Sequence, residues 1–236
     1  PVEGEVDQKA GSLAVPRGYL DFYEMIEKEE LDSVHICTPN FLHYEMAKAA
    51  LEKGIHVVCE KPFATKLTEA EELVAIAEKS GLCNAVHFNL RYYPLARQMK
   101  QMRENGDIGN VYTIIGSYLQ DWMFYETDYN WRLEPELSGE SRAVADIGSH
   151  LIDLLEYVSG LRIVRVMADF NTVHKVRKKP LKPVETYAGK TLKPEDYQDL
   201  PINTEDYATI LLHFDNGNKG TVTVSQINAG RKNRLT

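Results

Sequence analysis

Cysteine is scarce in this chain and none of it is paired by spacing: Cys37, Cys59 and Cys83 are its three thiols, and no Cys-x-x-Cys occurs. An odd count without paired spacing gives no disulfide framework and no cysteine metal knuckle. Each thiol falls in an apolar, strand-like run, so reduced, buried cysteines of a cytoplasmic protein are the expectation. Long apolar runs are missing too, and none approaches the ~20 residues a membrane span needs. The first residues, PVEGEVDQKAG, have no basic-then-apolar pattern, so a secretory route gains no support. Positive charge is not in excess: the net charge is −8, which argues against a nucleic-acid partner. No G-x-G-x-x-G appears among the fifteen glycines. G-x-S-x-G, Ser-x-x-Lys and a metal-ligand cluster are absent as well.

What remains is the composition of an ordinary globular protein, 43% hydrophobic and 26% charged over 236 residues, enough for one large domain or two small ones. From residue 19 to 88 helix and strand patterns alternate. YLDFYEMIEKEE is amphipathic, with Leu20, Tyr23 and Ile26 on one stripe. SVHICT, HVVCE and CNAVHFN read as buried strands. Between them, NFLHYEMAKAALEKG and TEAEELVAIAEKSG read as helices closed by Gly54 and Gly81, the second opened by a Thr68–Glu71 capping box. Strands separated by such helices predict parallel βαβ units, the pattern of a doubly wound α/β domain.

After Arg91 the texture changes. A helix (YPLARQMKQMRENG) leads to a strand (NVYTIIGSYLQD), then to an irregular aromatic stretch from Trp122 to Trp131. DIGSHLIDLLEYVSG predicts a helix and RIVRVMADFNTV a strand. A proline-rich loop runs from His174 to about Thr204. DYATILLHF and KGTVTVSQI flank a turn at Asp215-Asn216-Gly217 and read as a hairpin. Strands joined without helices predict an α+β domain with a mostly antiparallel sheet. The expected division is 1–90 and 91–236, with the junction near Asn89 to Pro94.

Four places could carry chemistry, and each has a plain alternative. Lys61 stands where an apolar strand leaves its sheet, the edge at which open α/β sheets bind ligands; it also reads as a solvated lysine. Asp146 and His150 are four residues apart in one helical pattern. A carboxylate can thus orient an imidazole for proton transfer, or Asp146 simply caps the helix. Pro39 and Asn40 open a helix whose amino end suits an anion, although a cap explains the asparagine equally. His43, one turn on, reads more readily as packing than as a ligand. Arg91 follows the third strand. Trp131 and Arg132 read as a cation–π contact.

The order of these motifs is the stronger signal. DSVHICTPNFLHYEMAKAALEKGIHVVCEKPFA, then FNLRYYP, NWRL and DIGSHLIDL, resembles the Gfo/Idh/MocA oxidoreductases, the family of glucose–fructose oxidoreductase and inositol 2-dehydrogenase. The resemblance implies a Rossmann domain holding NAD or NADP, followed by an α+β domain that shapes a sugar site. It further implies assembly as a homo-oligomer, a dimer or tetramer. By matching motif, Lys61, Asp146 and His150 are the implied catalytic residues. Thr38, Pro39, Asn40, His43, Glu60, Lys61, Arg91, Trp131 and Arg132 are implied near the cofactor, and no metal is implied. The expected reaction is hydride transfer between a sugar or polyol ring carbon and nicotinamide, with His150 taking the hydroxyl proton and Lys61 bonded to the same oxygen. The family's glycine-rich first βαβ unit is expected to precede Pro1 and its sheet to continue past Thr236, so the chain reads as a fragment at both ends. Redox-assisted glycoside cleavage and non-catalytic sugar binding are the rival readings, and a Schiff base at Lys61 is a fourth.

Overall fold

The computed structural model describes residues 4–182 and 192–236, and the chain divides into two compact units, Pro1–His87 and Phe88–Thr236. Pro183 of the proline-rich stretch lies outside the described residues. No helix among the described residues is long and apolar enough to cross a membrane.

In the first unit, α1 (Glu5–Ser12) and α2 (Phe22–Lys28) precede β1 (Ser33–Ile36), α3 (His43–Glu52), β2 (His56–Cys59), α4 (Leu67–Ser80) and β3 (Asn84–Val86). The three strands form a parallel sheet in the order β1-β2-β3. Its core is Ile26, Val34, Ile36, Leu51, Val57 and Cys59 with their neighbours, the inward residues of strand and helix patterns. Of the three thiols expected to be buried only Cys59 is; Cys37 and Cys83 flank the ends of β1 and β3 and are exposed. Burial pushes the Cys59 thiol up to about 12, since a thiolate there would lose its water. Asp21 caps α2, accepting from the Glu24 amide at 2.8 Å. Of the predicted stripe only Ile26 is buried; Leu20 and Tyr23 are exposed. The predicted capping box at Thr68 and Glu71 does not form. α4 begins at Leu67, with Lys66 as its cap residue and no side-chain cap bond. Gly81 closes that helix in the left-handed region, at φ 67°.

In the second unit, α5 (Pro94–Glu104), β4 (Thr113–Leu119), α6 (Pro135–Ser138) and α7 (Ser149–Ser159) are followed by β5 (Ile163–Asn171), β6 (Val176–Pro180), β7 (Tyr197–Pro201), β8 (Tyr207–Phe214), β9 (Lys219–Ser225) and β10 (Lys232–Leu235). Five strands form one sheet in the order β10-β4-β9-β8-β5. All its pairs are antiparallel except β4 with β9. The predicted loop from His174 to Thr204 therefore needs correction: it carries β6 and β7, which pair with each other as a separate two-stranded sheet. Ala208, Ile210, Leu212 and Phe214 of β8 alternate inward, as do Val222 and Val224 of β9. They pack with Ile147, Leu151 and Leu155 from the α7 region. Gly220 lets β4 and β9 approach: a Cβ there would lie 2.7 Å from the Ile114 carbonyl oxygen.

Candidate active site

In the first unit the predicted residues gather at the carboxyl edge of the parallel sheet. The ladder extends one residue beyond the strands, with Glu60 N–H donating to Ile36 O (2.9 Å) and His87 N–H donating to Cys59 O (2.8 Å). That register brings the Glu60 carboxylate and the His87 ring together at 2.7 Å. Lys61 follows at the strand exit, joined to Pro62 by a cis peptide bond. Thr38 and Pro39 follow β1, and Asn40 starts a 3-10 turn (Asn40–Leu42) that runs into α3. The cap residue of α3 is Leu42, without a side-chain cap bond, and Asn40 lies ahead of it at the start of the 3-10 turn.

His43 corrects an expectation. Its side chain is fully buried and both ring nitrogens face backbone carbonyls, Nδ1 that of Pro62 at 2.7 Å and Nε2 that of Thr38 at 2.8 Å. Both ring nitrogens are thus engaged by the backbone. The ring ties the exit of β1 to the exit of β2, and so fixes the turn that carries Lys61.

In the second unit Asp146 and His150 share one continuous helical run, but not a plain α-helix. Residues Val144–Gly148 form a π turn, and α7 begins at Ser149. Such single wide turns recur at functional sites because they re-aim side chains. The Asp146 carboxylate accepts from Gln226 Nε2 at 2.9 Å and pairs with Arg132 Nε at 3.3 Å. Asp146 is therefore not the helix cap. That role falls to Glu205, whose carboxylate accepts from the Arg142 and Val144 amides and the Ser141 hydroxyl. The His150 ring meets Phe88 edge to face, with centroids 5.8 Å apart.

Arg132 also lies over the Trp131 ring, 4.4 Å from its centroid, which is the expected cation–π contact. The Arg91 guanidinium makes a two-pronged ion pair with Asp153 of α7 and stacks on Tyr157. The hydrogen bonds to Asp153 raise its pKa, against the opposing effect of burial. In the aromatic stretch, Trp122 and Tyr129 pack on a small core of Met123, Leu133 and Ile202, whereas Tyr125 is exposed. The buried Arg177 threads this stretch together, donating to the Met123 and Tyr125 carbonyls at 2.9 and 2.8 Å. Burial, and the neighbouring Arg142, lower its pKa to about 10 despite Asp206.

Two independent matches account for nearly the whole chain. The model of the "GFO/IDH/MocA C-terminal domain" matches residues 96–236. That of the "Oxidoreductase family, NAD-binding Rossmann fold" matches residues 3–88. The chain belongs to the Gfo/Idh/MocA family. Among relatives of this Gfo/Idh/MocA protein, levoglucosan dehydrogenase of Pseudarthrobacter phenanthrenivorans is 31% identical over 222 residues, covering 92% of this chain and 55% of that protein. D-glucoside 3-dehydrogenase of Escherichia coli is 33% identical over 163 residues, covering 67% of this chain and 43% of that protein. A solved levoglucosan dehydrogenase in complex with NADH and L-sorbose superposes with a TM-score of 0.87 at 28% identity, covering all of this chain and 59% of that one. The chain spans about half the length of the curated relatives it matches.

Reading the Gfo/Idh/MocA sequence alone missed His87, Asp153, Gln226 and Arg142. His87 could have been found, since it follows β3 as Glu60 follows β2. Gln226 gives no local signal, because its partners lie 80 and 84 residues away along the chain.

Proposed function

We propose that the protein carrying this chain is an NAD- or NADP-dependent oxidoreductase that moves hydride between nicotinamide and a ring CH–OH carbon of a sugar or polyol. The observation that carries this reading is Asp146. It sits on a π turn four residues before His150 and is fixed by Arg132 and Gln226. A held carboxylate beside a histidine on one helical run is the arrangement by which an imidazole is oriented and its charged form supported.

The first unit's residues fit the nicotinamide end of such a cofactor. A parallel sheet presents Glu60, Lys61 and His87 at its carboxyl edge, where α/β sheets take their ligands. Bound there, the nicotinamide supplies the hydride acceptor. His150 accepts the proton of the substrate hydroxyl as the carbon–hydrogen bond is broken. Asp146 holds the imidazole and balances the charge it gains. Lys61 donates a hydrogen bond to the reacting oxygen and stabilises it as its proton leaves. The substrate class rests on the relatives, of which one acts on levoglucosan and another on D-glucosides, as their names state.

The test is turnover of a panel of glycosides and cyclitols with NAD+ or NADP+, followed as net reduced nicotinamide. His150→Ala and Lys61→Ala are expected to lower kcat by ~10²–10⁴-fold, the usual loss for a positioned proton-transfer group. Near-full turnover in either variant would remove that residue from the mechanism. Glycoside cleavage without net nicotinamide reduction would replace the dehydrogenase reading by redox-assisted cleavage.

A further inference from the structure

Gln226 lies fully buried just past the end of β9. Its amide is polarised by two neighbours that leave it a single orientation. Arg142 Nη1 donates to Gln226 Oε1 at 3.0 Å, and a guanidinium can only donate. The oxygen of the amide must therefore face Arg142, and the nitrogen must face Asp146 Oδ2 at 2.9 Å. A flipped amide would set nitrogen against guanidinium and oxygen against carboxylate.

Arg142 itself has no freedom to follow such a flip. It is buried, with Nε donating to Thr204 Oγ1 at 3.1 Å and Nη2 to the Thr204 carbonyl at 3.3 Å. Its charge faces Asp206 at 3.6 Å, and Asp206 accepts from the Val173 and His174 amides. Burial nonetheless lowers the Arg142 pKa, with Asp206 and Glu205 opposing.

We propose that Gln226 is a positioning residue. Pinned by Arg142 with its amide nitrogen outward, it fixes the rotamer of the Asp146 carboxylate and favours its ionised form. This rests on the reading of Asp146 as part of the catalytic set, but its direct readout needs no turnover. Among the groups that bear on Asp146 are Arg132 by ion pair, Gln226 by hydrogen bond, Arg142 by its charge and Tyr118 by its nearby phenol.

The test is side-chain NMR of the isotope-labelled chain, with Asp146 assigned through Asp146→Asn. In the unaltered chain the Gln226 amide signals are expected to move with the same pH midpoint as the Asp146 carboxyl. Gln226→Leu deletes the donor and is expected to raise that midpoint by about one pH unit, the equivalent of one hydrogen bond to the charged form. Gln226→Glu keeps a partner for Arg142 and the shape of the site, yet sets a carboxylate against Asp146, so the midpoint is expected to rise at least as far. An Asp146 midpoint unmoved in whichever variant folds, or Gln226 signals blind to the Asp146 titration in the unaltered chain, overturns the inference. A midpoint that moves in a protein oxidising no glycoside keeps the inference and sinks the catalytic reading instead.

Discussion

Replacing His43 by leucine should loosen the turn that carries Lys61 more than it loosens the rest of its unit. The ring is fully buried and bridges the Thr38 and Pro62 carbonyls, at 2.8 and 2.7 Å. A neutral imidazole donates at one nitrogen and a charged one at both, so the clasp amounts to one or two hydrogen bonds. At ~0.5–1.5 kcal/mol each, the loss is about 0.5–3 kcal/mol, with leucine chosen to fill the space. Local opening that becomes easier by this amount speeds amide exchange roughly 2- to 150-fold, given ~1.4 kcal/mol per tenfold. Hydrogen–deuterium exchange read by mass spectrometry on peptides spanning Glu60 to Lys66 is the assay, with α4 as the internal reference. The reasoning fails if exchange in that segment is unchanged, or if it rises only in step with α4. In that case His43 is an ordinary core residue whose removal weakens the unit as a whole.

The remaining predictions concern packing, charge and pH. Cys37 and Cys83 are exposed and Cys59 is buried, so a maleimide near neutral pH should label two thiols in the folded chain and a third only after denaturation. The Cys59 thiol, held at about 12 against 9.0 for the free group, binds its proton more tightly in the folded state than in the unfolded one. The first unit should therefore lose stability as pH rises above 9, by up to ~1.4 kcal/mol per pH unit, and Cys59→Ala should flatten that slope. Thermal melts of the two proteins across this range are the check. Arg91→Met leaves the buried Asp153 carboxylate without its partner and should cost about 1–3 kcal/mol in chemical denaturation of the second unit, whereas Arg91→Met combined with Asp153→Leu should recover part of it. Gly220→Ala places a methyl 2.7 Å from the Ile114 carbonyl and should cost at least ~1–3 kcal/mol by overpacking; a melt within a degree of the parent would contradict the observed strand spacing.

The parts of the fold that were legible are those with a local period. The three strands of the first unit form where the apolar runs lie, with Val34, Ile36, Val57 and Cys59 inward. β1 and β2 are buried on alternate residues only, however, and Asn84 and Ala85 of β3 are exposed. Gly54, Gly81 and Gly160 end their helices with φ of 85°, 67° and 71°. What was not legible depends on distant partners. The pattern DIGSHLIDL reads as one α-helix, and only its packing against the sheet, with Glu205 capping it from across the unit, shows the π turn at Asp146. The Trp122–Trp131 stretch looks structureless because its order comes from Arg177, some fifty residues on. For the candidate site, the motifs singled out Lys61, Asp146 and His150 without showing that Arg132 and Gln226 neighbour Asp146. Arg91 and His43 were implied near the cofactor by the family motifs; within their own units Arg91 pairs with Asp153 and His43 bridges two backbone carbonyls, contacts that no local pattern announces.

Hydride transfer is the central claim, and isotope transfer tests it most directly. A glycoside deuterated at the reacting ring carbon, incubated with the protein and NAD+, should deliver its deuterium to the nicotinamide ring, where proton NMR of the recovered cofactor detects it. Deuterium is expected on the nicotinamide, and far slower transfer with His150→Ala. Deuterium lost to solvent with none on the nicotinamide would contradict hydride transfer, and would point to proton chemistry at that carbon instead.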